Sequence, residues 1–572
     1  MSVLDWLVLC VTLGLVVLYG LWRSRGRGGL DQYLLAGRTM PWYAVALSVM
    51  ATQASAVTFI STPGQSYVDG MRFVQFYFGL PLAMAILSFT AVPLFHRARV
   101  FTAYQYLEQR FDSKTGTLVS LIFLIQRGLA LGITLYAPAV VLTVILGWPD
   151  WQTTLIMGVI AVSFTTTGGT KATAWAHTLQ MLVMTIALVT ALVCAVWLLP
   201  SHVSFGDAVS LAGASGKLNV ITTTFDWNDR YNLWSGLFGG MFLALAYFGT
   251  DQSQVQRYLT GRSVAQSRMG LAFNAVAKIP MQCLILFIGA MVYVFYIFQP
   301  PPILFERTEL RRLQTSAPAE SYERVTRQYE SAVAERRLAA DRLLDARRGG
   351  ESAQLQDAHT RYMRAQGGFE AARRDGTALA EQTTGSKIND TNYIFLTFVT
   401  RNLPTGVVGL VMAMILGATL SSISSEMNAL STVSLVDIYK RHVRKHATER
   451  HYLQATRVAT VVWGCYAVVS AHYVKRMGSL IEAVNLLGSF FYGGMLGVFV
   501  LAFACPKVRG RGAFWGVLAG EAVIFACWYF TAIAFLWYNV LGCLAVVATG
   551  LVITAFDRRR ATDEPGPPAV SA

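Results

Sequence analysis

The chain has 572 residues, of which 54% are hydrophobic and only 14% charged. Soluble proteins of ordinary composition carry about 25% charged residues, so this balance excludes a soluble globular enzyme and points to an all-α polytopic membrane protein. The formal net charge of +15 does not signal nucleic acid, because the basic residues gather at the ends of apolar runs, where they orient a chain in a bilayer.

A first span is predicted over residues 3–22. No basic residue precedes that apolar run and no small-residue cleavage site follows it, so it reads as a membrane helix rather than a signal peptide. The second span, 41–64, is interrupted by "ATQASA" and "TPG". Four more are predicted at 71–95, 117–147, 152–168 and 174–199, then two at 232–255 and 268–298. The last five cover 405–438, 453–473, 479–504, 511–531 and 534–556. The total is about thirteen by a ~19-residue hydropathy window. Basic clusters such as "HRAR" at 96–99, "KRHVRKH" at 440–446 and "PKVRGRG" at 506–512 follow alternate spans. All fall on one side when the N-terminus is outside and the C-terminus cytoplasmic, in a cell (inner) membrane. Seven cysteines are scattered, mostly inside apolar runs and without CxxC spacing, and read as small hydrophobes.

Residues 300–389 depart from this pattern, being rich in Arg, Glu, Ala and Gln. "PAESYERVTRQYESAVAERRLAADRLLDARR" holds helix formers with no internal proline, "GG" at 349–350 breaks it, and "ESAQLQDAHTRYMRAQ" resumes. A helical hairpin outside the membrane is predicted, with a thin apolar seam of Tyr322, Val325, Tyr329 and Val333. The chain thus divides into a first membrane part (1–299), an extracytoplasmic hairpin insertion (300–389), a second membrane part (390–558) and a disordered cytoplasmic tail (559–572).

Chemistry is concentrated in "GATLSSISSEMNALSTVSLVDIYKR", Gly417–Arg441. At helical spacing, Ala418, Ser421, Ser422, Ser425, Asn428, Ala429 and Thr432 share one small, oxygen-rich face, with Ser424 and Ser431 beside it. Small residues let membrane helices approach closely; hydroxyl oxygens also suit hard cations. A sodium site needs further oxygens, and an intact helix spends its carbonyls internally. The interrupted second span, "SVMATQASAVTFISTPGQSY", supplies them if its helix breaks at mid-membrane. Glu426 lies well off the hydroxyl face, nearer the side of Asp437, and is expected to be a vestibule or proton-paired residue rather than a sodium ligand.

The blocks "GRTMPWYAVALSVMATQASAVTFISTPGQSYVDG", "TAYQYLEQRFD", "LGITLYAPAVVL", "TTGGTKATAW", "TDQSQVQRYLTGRS" and "GATLSSISSEMNALSTVSLVDIYKR" occur in this order. They resemble the sodium:solute symporter family, chiefly its iodide, monocarboxylate and vitamin carriers, with the sialic acid carriers also similar. The resemblance implies a LeuT-like core of two inverted five-helix repeats with flanking helices. It implies sodium-coupled symport of a small organic solute by alternating access, with no enzymatic activity. The coupling sodium would take carbonyls of Ala51, Ala54 and Ala418 and hydroxyls of Ser421 and Ser422. The solute would lie near Gln53, Ser55, Phe73, Tyr77, Asp251, Gln252, Lys278 and Asn485.

The sequence departs from the family at three places. A second sodium site of some members matches Ser421, Ser424 and Ser425, but its aspartate is His177 here, in "WAHTLQ". Imidazole is a poor sodium ligand; His177 either couples a proton or fills the vacated site as a hydrogen-bonded side chain. Asp251 stands where the family usually has Asn; it pairs with Lys278, binds a cationic group or carries a proton, the ion pair being the plain reading for a buried charge. The arginine of the sialic acid carriers is replaced by Ala130, which disfavours sialic acid. Arg127, a further charge inside a span, either snorkels or faces the substrate path. Two alternatives stand beside sodium symport: proton or mixed coupling through His177 and Asp251, and a transporter-like sensor whose hairpin docks a protein partner.

Overall fold

The computed structural model describes residues 1–25, 29–385, 387–474 and 479–563; the tail expected at 559–572 falls mostly outside them. Helix α1 (Val3–Ser24) opens on a capping box in which Ser2 and Asp5 exchange hydrogen bonds. Asp5 also accepts from the amides of Gly406 and Gly409, tying α1 to the start of a central helix. After α2 (Leu30–Leu35), the second span is indeed broken. Helix α3 (Trp42–Gln53) ends where Ala54 leaves helical geometry at ψ 74°. Ser55 is extended, and α4 (Ala56–Asp69) starts afresh.

Short helices α5 (Leu80–Phe89), α6 (Ala91–Ala98) and α7 (Ala103–Arg110) lead to α8 (Ser113–Leu146), whose N-cap Asp112 accepts from the Thr115 amide. Helix α9 (Asp150–Trp197) runs through both spans expected at 152–168 and 174–199. It bends at Gly169, whose φ of +59° suits glycine alone. Helix α10 (Phe205–Ala214) follows in a loop. The span expected at 232–255 is broken as well. Helix α11 (Gly240–Gly249) stops at Thr250, and Asp251 caps α12 (Gln252–Leu259) by accepting from the Ser253 amide.

The chain continues through α13 (Val264–Phe298), α14 (Arg307–Ser316), α15 (Ala319–Gly349), α16 (Ser352–Thr384) and α17 (Thr391–Asn402). It ends with α18 (Val407–Val433), α19 (Glu449–Val474), α20 (Leu480–Ala504), α21 (Gly510–Phe530) and α22 (Leu536–Asp563). Among the described residues, nine helical stretches are long and apolar enough to cross a membrane by length and composition, against thirteen windows in the sequence. The two tallies differ because breaks cut α3 and α11 to 12 and 10 residues, α9 joins two windows into one bent helix, and α19 is not apolar enough to count.

Helix α18 forms the centre: every residue from Val411 to Val433 is buried. Around it pack α1, α3, α8, α9 and α19. Next to this bundle, α4 touches α13 through Gly289, where any Cβ would overlap the Pro63 carbonyl oxygen.

Helices α15 and α16 run back along each other from a turn at Gly350 and Glu351. Their shared face buries Val325, Tyr329 and Val333 with Phe369, Ala372 and Ala380. The pair is docked on the membrane helices. Fully buried Arg336 donates to the Tyr296 carbonyl of α13 and lies 3.7 Å over the Phe369 ring. The Tyr362 hydroxyl meets Ser215 Oγ, just past α10, at 2.7 Å.

Candidate functional site

The break between α3 and α4 lies beside the hydroxyl face of α18. The last turn of α3 has carbonyls without the amides a continuous helix would give them. Ser422 Oγ stands 3.5 Å from the Thr52 carbonyl oxygen. Ser421 Oγ donates to the carbonyls of Ala418 (3.0 Å) and Gly417 (3.2 Å). Ala51, Ala54 and Ala418 are fully buried. Ser422 thus brings the hydroxyl face of α18 to a carbonyl at the end of α3, an oxygen chemistry that suits a small hard cation.

One turn along α18, the serines divide. Ser425 Oγ donates to the Ser421 carbonyl at 2.8 Å and meets Thr52 Oγ1 at 3.2 Å. Ser424 Oγ is buried and makes no hydrogen bond. His177 of α9 is fully buried, with Nδ1 3.0 Å from Ser48 Oγ of α3.

A cavity of about 110 Å³ opens on the other side of the break. Gln53, Ser55, Tyr77, Lys278 and Asn485 line it. Gln53 Nε2 donates to Asn274 Oδ1 at 3.2 Å, which fixes the amide at the mouth of the break. Lys278 Nζ lies 5.3 Å from the Tyr77 ring centroid, and no carboxylate among the described residues pairs with it. Arg127 of α8 lines the same cavity and is held on three sides. It donates to Asp251, to Glu426 Oε1 at 3.2 Å and to the Tyr492 hydroxyl at 2.8 Å. Tyr492 donates onward to Asp251 Oδ2 at 3.0 Å, and Thr134 donates to Glu426 Oε1 at 3.3 Å. The arrangement offers a selective pocket with one compensated and one uncompensated cation. It presents no nucleophile–base pair, and no group of three or more metal-ligating side chains occurs among the described residues.

The model of the sodium:solute symporter family matches residues 33–304 and 368–520. The chain belongs to this family. It is a multi-pass membrane carrier that couples solute movement to sodium, and not an enzyme. Among its relatives, sodium-coupled monocarboxylate transporter 1 of Xenopus laevis is 26% identical, over 91% of this chain and 71% of that protein. The sodium-dependent multivitamin transporter of Oryctolagus cuniculus is 25% identical, over 92% and 70%. The human sodium/iodide cotransporter is 25% identical, over 90% and 68%. A solved Na+-coupled sialic acid symporter, in a substrate-bound outward-open state, superposes with a TM-score of 0.74 at 21% identity, covering 97% of this chain and 98% of that one. The symporter therefore shares that all-helical fold.

Within this symporter, several sequence expectations are corrected. Asp251 does not pair with Lys278: it is bound by Arg127 and Tyr492 and by its own cap partner Ser253. It sits behind the cavity wall rather than in it. Gln252 is also away from the cavity, because its amide staples α7 by donating to the Phe101 carbonyl (2.8 Å) and accepting from the Ala103 amide (3.0 Å). Phe73 is stacked on Phe76 at 5.5 Å and meets Tyr231 edge-on at 5.1 Å; Phe76 reaches the cavity instead. Of the two readings of Arg127, it takes the one that faces the cavity; Glu426 lines the same cavity and points to Arg127, while Asp437 pairs with Arg441. Tyr247, Tyr492 and Thr134 were not anticipated. No motif marks them, and only their approach to Arg127 and Glu426 gives them a role.

Proposed function

We propose that this symporter carries a small solute bearing a carboxylate, together with sodium, by alternating access across the cell membrane. Lys278 carries the reading. Its side chain is 1% exposed, lines the cavity and has an aromatic ring beside it but no counter-charge. A buried charge is costly unless paired, and a solute carboxylate is the partner it lacks. Arg127 is not free for that task, since Asp251 and Glu426 already hold it. The printed names of the monocarboxylate and multivitamin relatives are compatible with a carboxylate-bearing cargo.

In this reading sodium takes the carbonyls of Ala51, Ala54 and Ala418 and the hydroxyls of Ser421 and Ser422, drawing the broken helix against α18. Gln53, Ser55 and Asn485 orient the rest of the solute. The breaks at Ala54 and at Thr250 mark the first helix of each inverted five-helix repeat, the site class expected of such carriers. Sodium and a monocarboxylate enter together as a neutral pair. The N-terminus and the α15–α16 hairpin face outward and the C-terminus faces the cytoplasm, a reading supported by the alternating basic clusters.

Uptake of labelled short monocarboxylates into proteoliposomes under separately imposed sodium and proton gradients tests the proposal. Sodium-driven uptake that Lys278→Gln abolishes is expected. Uptake of neutral solutes alone, or full uptake without sodium, overturns it.

A further inference from the structure

Helix α18 continues past Val433 as a π-helix, Ser434–Val443, and a groove of about 630 Å³ runs between that stretch and α19. Leu435, Ile438 and Val443 form one wall; Ala455, Val458 and Val462 form the other. Val443, Val458 and Val462 leave its lip apolar and exposed. Hydrogen bonds bridge the walls at both ends. The Trp463 indole donates to Ser434 Oγ at 3.0 Å, and the Tyr439 hydroxyl meets His451 Nε2 at 2.9 Å. His451 and Trp463 are twelve residues apart on α19, so the slot is about 18 Å long at 1.5 Å per residue.

Val443 and His451 both line the slot, so the turn that joins them closes its polar end. In that turn Arg444, Lys445 and Arg450 are basic and exposed, and Glu449 is the one acid. Glu449 is engaged by the Leu30 amide. The turn is held in place, because the Tyr452 hydroxyl donates to the carbonyls of Arg444 and Lys445, both at 3.0 Å. Exposed Lys440 joins them, its Nζ 5.4 Å from the Tyr452 ring centroid. Arg441 is by contrast already bound to Glu108 and Asp437. An apolar slot thus ends at a fixed basic turn. In a bilayer an acyl chain covers any such slot, and cations at its polar end select an anionic headgroup.

We infer that this groove holds one anionic phospholipid, its acyl chain between the Ser434–Val443 stretch and α19 and its phosphate at the basic turn of Lys440, Arg444, Lys445 and Arg450. A zwitterionic lipid fills the slot but sets its own cation beside four others. Free phosphate meets the charge but leaves the slot uncovered. One wall of the slot continues α18, so the lipid braces the helix that carries the candidate sodium ligands against α19.

The purified protein is delipidated in neutral detergent and melted with added phosphatidylglycerol, phosphatidylcholine or inorganic phosphate. Phosphatidylglycerol is expected to raise the thermal midpoint by several degrees, and the other two by much less. Native mass spectrometry is expected to retain one phosphatidylglycerol at collision energies that strip phosphatidylcholine. Ala459→Phe fills the slot from the α19 wall and is expected to abolish both effects. The double variant Arg444→Gln, Lys445→Gln alters only exposed side chains and leaves the Tyr452 bonds, which go to backbone carbonyls. It is expected to raise the phosphatidylglycerol concentration for the half-maximal shift roughly tenfold or more, the scale of two basic residues at a membrane surface. Equal shifts from the two lipids overturn the inference, as does a full shift from phosphate alone. So does a double variant that responds to phosphatidylglycerol as the wild type does.

Discussion

Arg127 is the most heavily engaged side chain of the cavity wall, touching Asp251, Glu426 and Tyr492. Asp251→Ala leaves Arg127 its bond to Glu426 but removes a charge-assisted partner and the N-cap of α12. It is expected to lower the thermal midpoint in detergent, and Asp251→Asn, which can still cap α12, to lower it less. The serines separate in the same way. Ser422→Ala is expected to raise the sodium concentration for half-maximal uptake roughly tenfold or more, the scale of a hydrogen bond to a charged group. Ser425→Ala is expected to change it little, because that hydroxyl lies one turn further along α18 and meets the Thr52 hydroxyl rather than a carbonyl of the break. A sodium titration of uptake checks both. The hydroxyl face itself was legible, since it follows from 3.6-residue spacing along one helix. The pairing of Asp251 was not. Its partner Arg127 lies 124 residues away and is chosen by how the break between α11 and α12 meets α8, which no local pattern encodes.

Broken helices are the elements that matter, and the two breaks were unequally readable. "ATQASA" announces the first by replacing bulky apolar residues with small and polar ones. The second hides inside an apolar window averaged over 232–255. Its one cue is Asp251 followed by Gln252 and Ser253, an N-cap signal in a place where no helix start was sought. Phe73 and Gln252 were misplaced for a related reason. A 3-10 stretch at Gly70–Tyr77 rotates successive side chains differently from an α-helix, so Phe76 takes the cavity position. Close approach of α4 to α13 depends on Gly289. Gly289→Ala forces these helices apart and is expected to destabilise by ~1–3 kcal/mol, as overpacking does. A thermal melt detects it, and an unchanged midpoint would mean that α4 can shift without cost.

At the scale of the whole molecule, the carrier body and the α15–α16 hairpin form one continuous structure through Arg336 and Tyr362. Replacing 319–384 by a short Gly-Ser linker is expected to keep sodium-driven uptake while lowering the thermal midpoint. Lost uptake with retained folding would give the hairpin a part in transport. The proposed orientation is tested by a single cysteine at Leu355, which is 37% exposed, in a background lacking the native cysteines. A membrane-impermeant maleimide is expected to label it in intact cells; labelling only after permeabilisation would reverse the topology. Composition and charge pattern made the membrane class and the helical insertion legible, and six motif blocks in order carried the resemblance to the family. The bend at Gly169, the second break and the docking of the hairpin were not legible, because they depend on contacts between distant segments.

The two ends of the hairpin segment are fastened together. The Phe305 amide donates to Asp390 Oδ2 at 2.7 Å, and Arg373 of α16 reaches both oxygens of the same carboxylate at 2.9 and 3.1 Å. A segment that leaves and rejoins the body at one carboxylate behaves as a cassette. A lineage can gain, lose or exchange it without re-laying the helices on either side. Asp390 is the clasp, and grafting the cassette onto a carrier that lacks it requires moving the clasp with it.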